Sequence, residues 1–241
     1  MFQFKIKLAG FIIGIKTIHI RPFAICRDYI VDEGTPDFCV ETTLDDIKYE
    51  RVKYLEICKG SDPWEGELET FALLRKISDE ILNHGAFLVH GAAIGIGDRA
   101  YLFTAPSGTG KTTHILKWVK EYHDVTIING DKPFILINKN NEPYVCGSPW
   151  AGKESFYNNT MLPLKAIVML ERNDDNIINQ VSYMDAFPFF YRQVYRPEDE
   201  NRIRKTLQLM QHLYGSVSFY KFMLNNYKDD CLSVAAKILE E

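Results

Sequence analysis

The run Ala105-Pro106-Ser107-Gly108-Thr109-Gly110-Lys111-Thr112-Thr113 constrains this chain more than any other stretch. It follows a strand-like apolar run, Arg99 to Thr104, and leads into Thr113 to Lys120, which has helical spacing. Strand, glycine loop and helix in that order predict an α/β fold with the loop at a strand's end. Small residues let backbone N–H groups curl around phosphate, and the helix N-terminus adds a positive dipole. Lys111 is then placed to reach β- and γ-phosphates, and the Thr112 hydroxyl to ligate Mg²⁺. Ala105 stands where the pattern has its first glycine, low in bulk but without glycine's access to positive φ. The competing reading is an ordinary tight strand-to-helix turn.

With 241 residues, 46% of them hydrophobic, the chain can bury a core of one large domain, or of a domain with an extension. A net charge of −4 with the signs intermixed gives no basic footprint for nucleic acid and no polybasic membrane patch. Met1 to Leu8 alternates like a strand, and its lysines interrupt any signal-like or membrane-spanning run, so the expected location is cytoplasmic. Cys26, Cys39, Cys58, Cys146 and Cys231 are scattered without a C-x-x-C, which reads as buried thiols rather than a disulfide framework or a zinc site.

Residues 1–85 read as a β-rich extension plus a packing helix, and 86–241 as the phosphate-loop core with C-terminal helices, the whole forming one compact domain. The first sixty residues read as short strands, Phe2 to Leu8, Ile15 to Ile20 and Phe38 to Thr42. Asp62-Pro63-Trp64-Glu65 signals a helix start, with Asp62 as N-cap and Glu65 closing a capping box. Leu68, Phe71, Leu74, Ile77, Ile81 and Leu82 then share a face. Ala86 to Ile94 reads as a buried strand, turning at Gly95 to Asp98 into the strand before the loop. Val125 to Asp131 and Ala166 to Glu171 are apolar runs that end in acids, each a candidate Mg²⁺-side strand end. Helices are expected around Asn201 to Tyr214, with Gly215 as C-cap, and around Asp230 to Glu240.

His90-Gly91 one hairpin before the loop, Ser107 to Thr112 in the loop, and Asn129-Gly130-Asp131-Lys132-Pro133 after the loop helix together resemble the HPr kinase and phosphoenolpyruvate carboxykinase group of P-loop proteins. Within it they are similar to the short bacterial HPr-kinase-like proteins, as is Tyr144 to Lys153. The resemblance covers about residues 86 to 175 and implies a P-loop α/β fold with mixed β-sheets flanked by helices, and a tendency to form homo-oligomers. It also implies roles. Ser107, Gly108, Thr109, Gly110, Lys111, Thr112 and Thr113 would bind ATP, and Asp131 would be the general base, with His90 its neighbour. HPr kinases carry two consecutive aspartates here; this chain has Gly130 in place of the first.

Phosphoryl transfer to a hydroxyl needs a charge-neutralising cradle, a metal and a base within reach, and the loop, Mg²⁺ and Asp131 supply them. The expected activity is transfer from MgATP to a hydroxyl of a small molecule, peptide or protein. Two alternatives stand beside it: a catalytically degenerate nucleotide-binding protein, and a carboxykinase reaction on oxaloacetate, for which this chain is short. Other assignments stay two-sided. His90 is either a core histidine or part of the site, and Asp131 either a turn residue or the base. Glu171 is either solvated or a further metal carboxylate, and Lys153 either a surface lysine or a phosphate clamp. Arg192 and Arg196, four apart on an expected helix face, either pair with surface acids or receive a substrate anion. Trp150 either stacks near a ligand or packs in the core, Phe187 to Tyr195 packs as core or as a subunit contact, and His114 is structural.

Overall fold

A computed structural model of the chain describes residues 1–58 and 62–239. Two units emerge, Met1–His84 and Gly85–Glu241. In the first, β1 (Phe2–Leu8) and β2 (Phe11–Thr17) form an antiparallel hairpin. Its Ala9-Gly10 turn holds both residues at positive φ, 51° and 87°, the mirror-image turn whose twist matches the strands. β2 starts and stops earlier than the sequence suggests. The Ile18 and His19 N–H groups leave the ladder and donate to the buried Glu69 carboxylate at 2.6 and 2.7 Å. After α1 (Arg21–Ile25), β3 (Phe38–Glu41) pairs in parallel with β2.

Next come α2 (Leu44–Ile57) and α3 (Glu65–Glu80). α2 corrects the reading of this region as strands alone. A capping box starts it, with Asp46 N donating to Thr43 Oγ1 at 3.3 Å and Thr43 N to Asp46 Oδ2 at 2.9 Å. Only Ile47 of the helix is buried, so an apolar stripe is hardly visible in its sequence. The start of α3 is also corrected. Trp64, not Asp62, is the N-cap and gives no side-chain cap, while Asp62 and Glu65 both pair with Arg51 of α2. The expected inner face holds, with Leu68, Leu74, Ile77, Ile81 and Leu82 buried and Phe71 half-buried against Tyr54.

The second unit contains β4 (Ala86–Leu88), β5 (Ala92–Ile96), β6 (Arg99–Thr104), α4 (Lys111–Glu121), β7 (Val125–Asn129), β8 (Phe134–Ile137), β9 (Pro143–Cys146), β10 (Met161–Arg172), β11 (Ile177–Val181), α5 (Tyr183–Tyr191), α6 (Glu200–Gln211), β12 (Ser218–Leu224) and α7 (Cys231–Ala235). Its strands run in the order β4-β8-β9-β10-β6-β5-β7, with β12 on β10 and β11 on β12. β10 joins two modes of pairing. Met161–Pro163 pair antiparallel with β9, and the rest of the strand lies parallel to β6 and β12. The result is α/β, with mixed sheets flanked by helices.

Phe103, Ile115, Trp118, Val168 and Phe222 belong to the core that holds α4 against these strands. His114 is wholly buried there, edge-on to Phe103, Trp118 and Phe222. It accepts from Trp118 Nε1 at 3.0 Å. Burial pushes its pKa down to about 3, so it stays neutral and structural.

Several boundaries differ from expectation. The single strand Ala86 to Ile94 is broken into β4 and β5. Helix α6 ends at Gln211 with His212 as its cap, and Gly215, at φ +75°, lies in the turn beyond. The last expected helix is α7 followed by a short 3-10 turn, Ala236–Leu239, while Glu240 lies outside the described residues. Cys39 and Cys58 are exposed, in contrast to the other three cysteines. No helix of the described residues is long and apolar enough to cross a membrane.

Candidate functional site

The phosphate loop joins the C-terminal end of β6 to α4. Gly108 and Gly110 sit at φ +80° and +109°, backbone that a Cβ would strain. Ala105 is not among the residues at positive φ, and it is wholly buried in the core. Alanine therefore costs nothing in backbone freedom at the place of the first glycine. The first-turn N–H groups of α4 have no acceptor within the helix, and with the helix dipole they form a donor set suited to an anion. Lys111 is 8% exposed and donates to the carbonyls of Ala105 (2.9 Å) and Pro106 (3.5 Å). Burial pushes its pKa down while the Asp131 charge opposes the shift.

Asp131 lies two residues past β7, in a turn built by Asn129. The Asn129 Oδ1 accepts from the N–H groups of Asp131 (2.9 Å) and Lys132 (2.6 Å). Its own amide is fixed by donation to Ser148 O at 2.9 Å, and Ser148 Oγ donates to Lys132 O at 2.6 Å. This is an Asx turn with every buried polar group of the buttress satisfied.

His90 stands in the break between β4 and β5. That break is stitched on both sides, Val89 N to Pro133 O (3.0 Å), Gly91 N to Asp131 O (2.9 Å) and His90 N to Gln193 O (2.7 Å). Its Nε2 is 3.3 Å from Asp131 Oδ1, and its Nδ1 is 3.2 Å from Gln193 Oε1. Lys132 Nζ donates to Asp131 Oδ2 at 3.0 Å. Burial alone would raise the Asp131 carboxyl; the hydrogen bond from His90 and the charge and hydrogen bond of Lys132 outweigh it and hold the pKa at about 2.

A cavity of about 530 Å³ is lined by Lys111, Thr112, His90, Asp131 and Lys153 together. A larger recess of about 870 Å³ opens in the first unit among Phe4, Phe23, Ile30 and Val31, but it carries no phosphate-binding backbone, so volume does not select the site. Three of the sequence candidates stay apart. Glu171 pairs with Lys221 at 3.0 Å and lines neither cavity beside the loop. Its neighbour Arg172 donates to Gly108 O, and adjacent strand residues point to opposite faces. Arg192 and Arg196 share no helix face, because α5 stops at Tyr191. Gln193 receives the His90 N–H, Val194 pairs with Val89, and Tyr195 N donates to Leu88 O at 2.9 Å, while Arg196 precedes a proline that disfavours helix. Trp150 is buried, the core alternative.

Gln193, Lys132, Asn129 and Ser148 join the site without standing out in the sequence. The Asn-Gly dipeptide at 129–130 signals a turn, the one cue to Asn129; the other three touch the site through chain that is distant in sequence or through an unremarkable lysine.

Gly130, beside Asp131, is closely covered. A Cβ there would meet Ala151 O at 3.1 Å and Phe156 O at 3.4 Å, and Gly130 N donates to Phe156 O at 2.8 Å. A carboxylate at this position would face two carbonyl oxygens. Gly130→Asp is expected to destabilise the fold by about 1–3 kcal/mol, which in a chain of this size lowers Tm by about 3–10 °C. A thermal melt checks this, and an unchanged Tm would mean that the covering loop gives way.

Thr112 and Asp131 supply one hydroxyl and one carboxylate, hard oxygen donors that suit Mg²⁺ when phosphates and waters complete its shell. No cluster of three or more His, Cys, Asp or Glu side chains fit to hold a metal occurs among the described residues.

No protein-family model matches the chain, and no curated protein does. Among solved structures, that of the HPr(Ser) kinase/phosphatase from Coxiella burnetii is similar at a TM-score of 0.39 and 10% sequence identity, over 64% of this chain and 88% of that one. The functional reading therefore rests on the loop and its surroundings.

Proposed function

We propose that the protein is an ATP-dependent phosphotransferase acting on a hydroxyl acceptor. One observation carries the reading: the phosphate loop's Lys111 and Thr112 line the same cavity as the Asp131–His90 pair. The loop N–H groups and Lys111 hold the phosphates, with Lys111 exchanging its carbonyl contacts for phosphate oxygens. Thr112 would hold Mg²⁺ together with phosphate oxygens, and the ion would supply charge neutralisation. The acceptor oxygen bonds to the γ-phosphorus as the bond to the β,γ-bridging oxygen breaks, ADP departs, and the hydroxyl proton passes to Asp131. His90 and Lys132 orient that carboxylate, one on each oxygen, and each oxygen keeps a second lone pair for the incoming proton. Lys153, at the cavity's exposed wall, meets an anionic group of the acceptor or the γ-phosphate.

The covered Gly130 favours a second reading, nucleotide binding without transfer, because the site is built around a single carboxylate. Titration with MgATP, followed by incubation of γ-labelled ATP with serine-containing peptides and small alcohols, tests both. Labelled acceptor is the expected result. Binding with no label transferred across the panel would leave the second reading, and absence of binding would overturn both.

A further inference from the structure

A second cavity, also of about 530 Å³, lies beside the phosphate loop and shares Gly108, Gly110 and Thr113 with the first. Nothing in the transfer chemistry uses it. Its walls are the loop after β10 and the loop after β12, which bring Arg172, Asn173, Asp174, Asn225, Asn226 and Tyr227 together.

These loops are tied to each other and to the phosphate loop. Asn176, buried between them, donates to Asp230 Oδ1 at 2.7 Å and accepts from Asn225 N at 2.7 Å. Asn225 Nδ2 donates to Asp174 O at 3.0 Å, and Asn225 Oδ1 accepts from Tyr227 N at 2.9 Å. Asn226 Nδ2 reaches Gly110 O at 3.3 Å, and Arg172 donates to Gly108 O. The backbone that carries Tyr227 is thereby fastened at the rim while the residue is 97% exposed. An aromatic face held in water on an anchored loop is a stacking platform.

Direction along the loop decides what lies over it. A nucleoside triphosphate whose γ-phosphate meets Lys111, Thr112 and Asp131 in the first cavity has its α-phosphate and nucleoside on the other side of Thr113, over the second. Arg172, at Gly108 between the two, sets a guanidinium where the phosphate chain passes. We infer that the second cavity is the nucleoside subsite and takes a purine, stacked on Tyr227, with Arg172 moving from the Gly108 carbonyl to the α/β-phosphates. This rests on the reading of the loop as a nucleotide site. A purine is preferred because its two rings offer the larger face for stacking.

The test is calorimetric titration of the whole chain and of its Tyr227→Ala, Tyr227→Phe and Lys111→Ala variants with MgATP, MgCTP and magnesium inorganic triphosphate. The wild type is expected to bind ATP more tightly than CTP and much more tightly than triphosphate. Tyr227→Ala should lose about tenfold in ATP affinity with triphosphate affinity unchanged, Tyr227→Phe should keep ATP affinity, and Lys111→Ala should weaken ATP and triphosphate alike. Wild-type protein that binds triphosphate as tightly as ATP, or Tyr227→Ala that binds ATP like the wild type, would overturn the subsite and leave the phosphate loop standing. Equal affinity for ATP and CTP would overturn the purine assignment. Failure of the wild type to bind any of the three would overturn the loop reading itself.

Discussion

Lys111→Ala should weaken ATP binding about a hundredfold or more and leave the free protein folded. The Lys111 ammonium is already withdrawn from water at 8% exposure, held by two carbonyl oxygens of its own loop. Having lost most of its hydration in folding, it gives up little more on meeting phosphate, and a charge contact in a water-poor site is stronger than one at the surface. Truncating one partner of a buried, hydrogen-bonded charge pair costs about 2–5 kcal/mol, and each 1.4 kcal/mol is about a factor of ten. In the free protein the substitution removes a half-compensated cation, for burial pushes the Lys111 pKa down against the pull of Asp131. Its Tm should therefore stay within a few degrees of the wild type. Thermal melts with and without MgATP separate the two effects, because ligand raises Tm only where it binds the folded state. A variant that ATP stabilises as much as the wild type would remove Lys111 from the phosphate site.

A feature of this chain is legible in its sequence to the extent that its determinant is local. β6, the glycine loop and α4 follow one another in the chain, and each element carries its own signal, so the sequence places strand, loop and helix where the structure has them. β1 was equally plain because its residues alternate. The capping box of α2 was local too, but a helix with a single buried residue offers no periodicity to draw attention to it. Asp62 and Glu65 had the right spacing for a cap and were taken by Arg51, which sits on another helix. Propensity lost there to an ion pair that the linear sequence cannot display.

The site shows the same division. Resemblance singles out Asp131 and His90, and the geometry brings them within 3.3 Å; apolar flanks alone make His90 an ordinary core residue. What orients them came from elsewhere. Gln193 reaches His90 from 103 positions away, over the stretch expected to continue a helix through Arg192 and Arg196. Ser148 locks the Asn129 turn from 19 positions away. Gly130 looked like a lost carboxylate in the sequence, and the backbone of residues 151 and 156 gives that loss its physical form. At the end of β10 the sequence offers Glu171 as the candidate acid, but strand alternation turns its neighbour Arg172, not the acid, toward the loop.

Asp131→Asn should cut turnover by about 10²–10⁴-fold while ATP binds as well as to the wild type or better. The amide keeps the shape of the carboxylate but removes a negative charge beside Lys111 and the phosphates, so the electrostatic change favours the nucleotide and penalises only the proton transfer. That split between kcat and affinity is what a base predicts and what a purely structural aspartate does not. The pH dependence sharpens it. With His90 and Lys132 on its two oxygens, the carboxyl titrates at about 2 in the fold against an ordinary 3.8. Its ionised form therefore contributes stability above the ordinary value, and that contribution is lost as pH falls through about 2. It follows that any acid limb in the wild-type rate above about pH 4 belongs to another group and should survive in Asp131→Asn at the reduced rate. So acidic a carboxylate is a weak proton acceptor at neutral pH, and its effect must come from position; a loose phosphoryl-transfer transition state asks little of the base until the new bond is nearly formed. Wild-type turnover in the variant would remove Asp131 from the proton transfer. Loss of ATP affinity together with turnover would make Asp131 part of the magnesium and phosphate cradle rather than the proton acceptor.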